Sequence, residues 1–188
     1  MKRAIILLTF NEIEALPKIF DRIPLSCADE MVAIDGGSKD GTREYLASKG
    51  QRVVTQERRG RGVAFRLAAT ATKADSLVFF SPDGNEDPAD IPKLFEKLES
   101  GYDLVIASRM MKGAFNEEDV HWFRPRKWVN NAFTLIANLL WNRGPYVTDT
   151  INGYRAIRRS TLETLGADAD GFVIEYQMLI KAMKKSAA

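Results

Sequence analysis

Between Arg3 and Ala107 the chain repeats one pattern: a short apolar run, a polar turn, then a stretch of about ten or more residues with helical character. Arg3 to Thr9 reads as one apolar run, as expected of a strand covered on both faces. Glu30 to Ile34, Arg52 to Thr55, Ser76 to Phe80 and Leu104 to Ala107 repeat the signal. Helices are predicted from Asn11, with Glu12 and Glu14 in a first turn that favours carboxylates, and from a Ser38 cap to Ser48. Two more are predicted over Arg61 to Thr72 and Asp90 to Leu98. Such alternation builds βαβ units, so the expected fold is α/β: a single domain whose mostly parallel central sheet carries helices on both faces. Right-handed crossovers then bring the turn after every strand to one edge.

That edge collects Thr9 to Glu12, Asp35 to Ser38, Gln56 to Gly62, Ser81 to Pro88, and Ser108 with Arg109, which predicts a binding cleft. The turn SPDGNEDP offers the carboxylates of Asp83, Glu86 and Asp87 and the amide of Asn85, with Gly84 permitting a tight bend. Hard oxygen donors grouped like this suit a divalent cation and the phosphates it bridges; the plainer reading is a polar turn making local backbone bonds. In DGGSKDGT, Asp35 ends a strand, and Ser38 and Asp40 are placed to pin the next helix. A carboxylate there can accept from a ribose or base, while helix amides attract phosphate. Equally, the string describes a well-formed strand-to-helix turn. TFNE rather than GxGxxG follows the first strand, which weighs against a dinucleotide-binding Rossmann domain, and the absence of GxxxxGK[ST] excludes a P-loop ATPase.

Composition narrows the chemistry. A length of 188 residues suits one domain, and a net charge of +2 is too small for general nucleic-acid binding. Cys27 stands alone, so there is no internal disulfide, and the single histidine, His121, has no neighbours that would make it part of a hydrolytic triad. Carboxylates and a metal are left as the chemical tools. No apolar run reaches the roughly 18 residues of a spanning helix, and MKRAIILLTFNE has too short an apolar core for a signal peptide. A cytoplasmic protein is expected.

After Met111 the character changes: Lys112 to Asp119 reads as a loop. The segment HWFRPRKWVNNAFTLIANLLWN follows, with Arg124, Arg126 and Lys127 in front of Trp128, Phe133, Leu135, Ile136, Leu139, Leu140 and Trp141. Two readings fit: a core-packed amphipathic helix, or a helix at a membrane surface with its cations near lipid phosphate. DTINGYRAIRRS reads as a loop feeding a short strand, and GFVIEYQMLIKAMKK as a helix with Ile174, Met178, Ile180 and Met183 inward.

TFNE, DGGSKDGT, RRGRG, the acidic turn and ASR, each in its place after a strand, resemble the family-2 inverting glycosyltransferases of GT-A fold. NGYRAIRR and GFVIEYQ are similar to the branch of dolichyl-phosphate mannose synthase and other polyprenyl-phosphate glycosyltransferases. The resemblance implies inverting transfer from a GDP- or UDP-sugar to a lipid phosphate at a peripheral membrane surface, on its cytoplasmic face. It implies that residues 1–110 hold the donor and 111–188 the acceptor. Thr9, Asn11, Glu12, Asp35 and Arg61 fall where the family holds the nucleotide. Asp83 and Asn85 fall on the site for Mg²⁺ or Mn²⁺, Ser108, Arg109, Arg126 and Lys127 around the acceptor, and Arg155 beside the phosphates. Catalysis is thereby assigned to Asp83 and Arg155. The usual Asp-x-Asp-x-Gln is Ser81-Pro82-Asp83-Gly84-Asn85 here, one carboxylate fewer. Relatives of this type continue past the helix near Lys185, so a longer natural chain is expected. The alternatives are a hydroxyl acceptor, with a base near Asp149 or Glu175, and a non-catalytic nucleotide-sugar-binding protein.

Overall fold

The computed structural model describes residues 1–109 and 125–186; the side chains of 125–127 and 186 lie outside that description. The predicted loop Lys112 to Asp119, His121 and Arg124 fall outside the described residues, as do the side chains of Arg126 and Lys127.

Among the described residues six strands form one sheet: β1 (Arg3–Thr9), β2 (Glu30–Asp35), β3 (Arg52–Thr55), β4 (Ser76–Phe80), β5 (Leu104–Ile106) and β6 (Arg155–Arg158). Their spatial order is β3-β2-β1-β4-β6-β5. β1 to β4 are mutually parallel, and β6 runs antiparallel to both β4 and β5. β5 therefore points the same way as β4, and its following turn reaches the predicted edge. Because β6 is reversed, its leading residues, Asn152 to Tyr154, arrive at that edge too.

Among the described residues the α-helices are α1 (Leu16–Ile19), α2 (Thr42–Ser48), α3 (Arg61–Ala71), α4 (Ile91–Glu99), α5 (Pro125–Trp141), α6 (Arg159–Leu165) and α7 (Val173–Ser186). Alternation along β1 sends Ala4, Ile6 and Leu8 against the face covered by α3, α6 and α7. Ile5 and Leu7 face α1, α2 and α4. β4 is buried along its whole length, and each large apolar side chain so enclosed contributes about 1.5–3 kcal/mol.

Two predicted helix starts are corrected. Asn11 does not begin a helix: its φ is +57°, its N–H donates to Ser38 Oγ (2.8 Å), and its Oδ1 accepts from the Lys39 N–H (3.0 Å). α1 waits until Leu16. Ser38 does not cap α2, which begins at Thr42 after Gly41 (φ +99°); Asp40 Oδ1 accepts from the Thr42 N–H at 3.1 Å. Both residues instead stitch the first turn to the second.

α5 is turned inside out relative to a core helix. Asn130, Thr134 and Ala137 are buried, whereas Trp128 (69% exposed), Leu135 (58%), Leu139 (78%) and Leu140 (56%) face outward. Inward, Ala137 and Trp141 pack against α7, and polar contacts hold the rest: Thr150 Oγ1 donates to Asn130 Oδ1 (3.1 Å), Asn138 Nδ2 donates to Val147 O (2.8 Å), and Asn138 Oδ1 accepts from the Val147 N–H (2.9 Å). These bonds fix the helix on the segment before β6 by its hydrophilic stripe. The core-packed reading is thereby corrected for Trp128, Leu135, Leu139 and Leu140, while Ala137 and Trp141 keep an apolar contact with α7.

Candidate active site

Asp35 sits beneath the first two turns, fully buried. Its Oδ1 accepts from the Gly37 and Ser38 N–H groups (2.9 and 2.8 Å), and its Oδ2 from the Thr9 and Ser38 hydroxyls (3.0 and 2.5 Å). A carboxylate offers about four lone-pair directions, and all are taken. The expectation that Asp35 accepts from ribose or base is corrected: it organises the turns. Thr9, 4% exposed, serves the same purpose. Asn11 and Glu12 line an open cleft of ≈ 540 Å³ with Ile13, Glu14, Ala15, Lys39 and Asp40. Burial pushes the Glu12 carboxyl above its ordinary pKa, and the neighbouring charges of Asp83 and Asp40 add to the effect. The first, second and fourth turns therefore share one acidic wall. At the third turn the Arg59 guanidinium stacks 3.6 Å from the Phe10 ring centroid, a contact with no sequence signature.

The acidic turn splits into an outer and an inner part. Asp83, Gly84 and Asn85 are exposed at its tip, where Gly84 takes φ +90° and the Asn85 N–H donates to Asp83 Oδ1 (3.0 Å). Glu86 turns inward, and its Oε2 accepts from the Ser81 N–H at 2.6 Å. Burial drives the Glu86 pKa up to about 8, against the smaller opposing pull of that N–H and of Arg61. Asp87 accepts from the Ala89 N–H (3.2 Å), and its carbonyl receives the Tyr154 hydroxyl (2.7 Å).

Because Glu86 keeps its proton to higher pH in the folded chain than in the unfolded one, this group costs stability as pH rises from 4.5 towards 8. Glu86→Gln removes that cost. In chelator-containing buffer its Tm, relative to the parent, is expected to climb by about a few degrees between pH 5 and pH 8. A difference that stays flat with pH would show that Glu86 titrates normally.

Among the described residues no three His, Cys, Asp or Glu side chains are grouped to hold a metal ion by themselves. One exposed carboxylate and one amide, Asp83 and Asn85, nevertheless fit a cation held mainly by substrate phosphates and water.

Arg61 belongs with the acidic turn. Its Nε donates to Glu175 Oε1 (2.5 Å) and its Nη1 to Ser81 Oγ (3.4 Å). On the far side, Thr148 Oγ1 donates to Ser108 Oγ (2.7 Å), and Arg109 donates from N, Nε and Nη2 to the buried Asp149 (3.3, 3.0 and 3.4 Å). Asp149 is thus the partner of Arg109.

Arg155 is enclosed at the start of β6 rather than exposed in the cleft. It is fully buried, with Nε (3.0 Å) and Nη2 on the Asn152 carbonyl and Nη1 on the Glu175 carbonyl (2.9 Å). Burial lowers its pKa to about 10, with Glu175 pulling the other way. The expectation of a phosphate contact is corrected: this guanidinium ties the start of β6 to α7.

Residues 4–166 match the family described as Glycosyl transferase family 2. The chain belongs to this family. Among its relatives, Glycosyltransferase AglJ of Haloferax volcanii is 32% identical, aligned over 94% of this chain and 57% of its own length. The Dolichol-phosphate mannosyltransferase of Pyrococcus furiosus is 29% identical over 96% and 53%, and the Undecaprenyl-phosphate mannosyltransferase of Micrococcus luteus 30% over 90% and 71%. The chain spans little more than half the length of the first two. The glucosyl-3-phosphoglycerate synthase of Mycobacterium tuberculosis, solved with Mn²⁺, UDP and glucosyl-3-phosphoglycerate, superposes with a TM-score of 0.72 at 25% identity, covering 95% of this chain and 63% of that one. The family-2 domain here is accordingly a single GT-A domain, as its sheet and helices indicate.

Proposed function

We propose that this family-2 domain moves a sugar from a nucleoside-diphosphate sugar to a polyprenyl phosphate, with inversion at the anomeric carbon. The observation that carries the acceptor class is α5, where Trp128, Leu135, Leu139 and Leu140 face outward while polar bonds and the Ala137 and Trp141 contacts with α7 hold the helix to the protein. A helix fixed in this way is suited to lie in the headgroup region, where a lipid phosphate is presented. Relatives named for dolichol and undecaprenyl phosphate support the same class, whereas the superposed synthase holds a phosphoglycerate product. A soluble phosphate acceptor gives no reason for the outward face of α5. Residues 1–110 are the donor half of this reading and 111–188 the acceptor half, acting peripherally at a cytoplasmic membrane face.

In the transfer, a phosphate oxygen of the acceptor attacks the anomeric carbon as the bond to the nucleoside diphosphate breaks on the opposite side. A phosphate is already anionic near neutral pH and needs no base. Asp149 and Glu175, the carboxylates a hydroxyl acceptor would call on, are both buried in pairs with Arg109 and Arg61. Asp83 and Asn85 would hold Mg²⁺ or Mn²⁺, which supplies positive charge to the departing diphosphate. Glu12 and Asn11 shape the donor side of the cleft, and Arg109, set by Asp149, lends charge on the acceptor side.

The test is incubation with Mg²⁺ or Mn²⁺, a panel of UDP- and GDP-sugars and polyprenyl phosphate, followed by product mass. A glycolipid is the expected product; nucleotide-sugar binding without transfer would favour a non-catalytic binder. The double variant L135D/L139D is expected to weaken binding to anionic lipid vesicles by about tenfold or more, with an unchanged Tm because both side chains are exposed. Undiminished vesicle binding would remove α5 from the membrane contact.

A further inference from the structure

Asp149 is fully buried where three chain segments meet. Arg109, in the turn after β5, donates to it from N (3.3 Å), Nε (3.0 Å) and Nη2 (3.4 Å), and the Ile151 N–H of its own turn donates at 3.3 Å. The third segment is α5, whose Asn130 Nδ2 donates to Oδ1 at 3.4 Å. An enclosed carboxylate is costly unless donors meet its oxygens, so all three segments together fix its place.

Asn130 is itself 2% exposed, and its amide has a fixed sense. Thr134 Oγ1 donates to Thr150 Oγ1 (3.3 Å), Thr150 Oγ1 donates to Asn130 Oδ1 (3.1 Å), and the Asn130 NH2 is left for the carboxylate. Turned over, the amide would set its oxygen against a group that, paired with Arg109, only accepts. Two hydroxyls, an amide and a carboxylate thus run as a directed chain from the buried stripe of α5 to Arg109. On the other side of the same helix, Trp128 lies two residues before Asn130, about 200° around the axis, and is 69% exposed. The Arg109 side chain keeps 39% of its surface exposed, with Nε and Nη2 committed to Asp149. Its direction is therefore set by the carboxylate, and the carboxylate is braced by α5.

We propose that Asn130 is a positioning residue: through Asp149 it sets the Arg109 guanidinium, so that this cation and the outward face of α5 keep one fixed spacing. Asn130 itself touches no substrate. The use of Arg109 towards an acceptor phosphate rests on the function proposed above, whereas its coupling to Asn130 rests on these bonds. A spacing held in this way decides at what depth of a headgroup layer the cation meets a phosphate once α5 lies on the surface.

The Arg109 Nε–H supplies the readout. In the ¹⁵N-labelled full chain its cross-peak is assigned by its loss in R109K. N130A is expected to shift that peak and to quicken its exchange with water by at least about threefold, with the backbone peaks of β1 to β3 in place. Farnesyl phosphate, titrated by calorimetry, is expected to bind N130A about five- to tenfold more weakly, whereas UDP or GDP with Mg²⁺ stays within about threefold of the parent. In the R109K background N130A should cost farnesyl phosphate no more than about a further twofold, because lysine has no fork to aim. If N130A loses its melting transition, T150V takes its place: it removes the hydroxyl that fixes the sense of the amide and keeps nearly the same volume. An Nε peak that stays put in the folded variant, or a loss of farnesyl phosphate affinity equally large in the R109K background, would overturn the assignment. A peak that moves while N130A and R109K both bind farnesyl phosphate like the parent would keep Asn130 as a positioning residue and remove Arg109 from the acceptor site.

Discussion

Asp83→Asn is expected to lower kcat/KM by about 10²- to 10³-fold at any concentration of Mg²⁺ or Mn²⁺, with Tm unchanged. Asp83 stands exposed at the tip of its turn, and its recorded bond is the local one from the Asn85 N–H. Little of the fold depends on it. An asparagine keeps an oxygen for that N–H and loses only the charge. Of the other side chains in the turn, Ser81 contributes no carboxylate, Glu86 faces inward, and Asp87 accepts from the Ala89 N–H and pairs with Arg22. Activity that is indifferent to the substitution across a metal titration would remove Asp83 from the reaction.

Arg155→Ala is expected to act through stability, costing about 3–5 kcal/mol, or on the order of 10 °C in Tm for a domain of this size. The substitution strands the carbonyls of Asn152 and Glu175, empties the volume of a fully buried side chain, and removes a cation beside Glu175. Kinetics taken well below the lowered Tm should leave the acceptor KM within about threefold of the parent, since the guanidinium is fully buried on two backbone carbonyls. A normal Tm with a large rise in acceptor KM would return Arg155 to the phosphates.

The local code of this chain was legible and its cross-chain choices were not. β1 to β5 fall where the apolar runs place them, within a residue at their ends, because a doubly covered strand must be apolar throughout. Asn11 and Ser38 look like helix caps for a sound reason, yet each met a better partner far away in sequence, and the two turns closed on one another. The apolar periodicity of α5 revealed that the helix has two faces but not which one is inward. That choice was made by Val147 and Thr150, which offered polar groups to Asn138 and Asn130. The direction of Arg155 follows from strand parity: it shares a face with Ile157, under α7, whereas Tyr154 and Ala156 face α4. Parity becomes useful only once β6 has its place between β4 and β5, and that pairing is set by contacts remote in sequence.

The same interleaving restricts how this domain can be cut and recombined. β5 finds its described neighbour in β6, a strand contributed some fifty residues later in the chain, so residues 1–110 on their own would leave β5 without that neighbour and the backbone edge of β4 unpaired. A chimera that joined residues 1–110 to the later part of another protein would have to import a compatible β6 with it, together with a glycine at the position of Gly153, against which the Arg61 guanidinium packs. The turns at the cleft edge are thus more readily exchanged one at a time than together with half of the sheet.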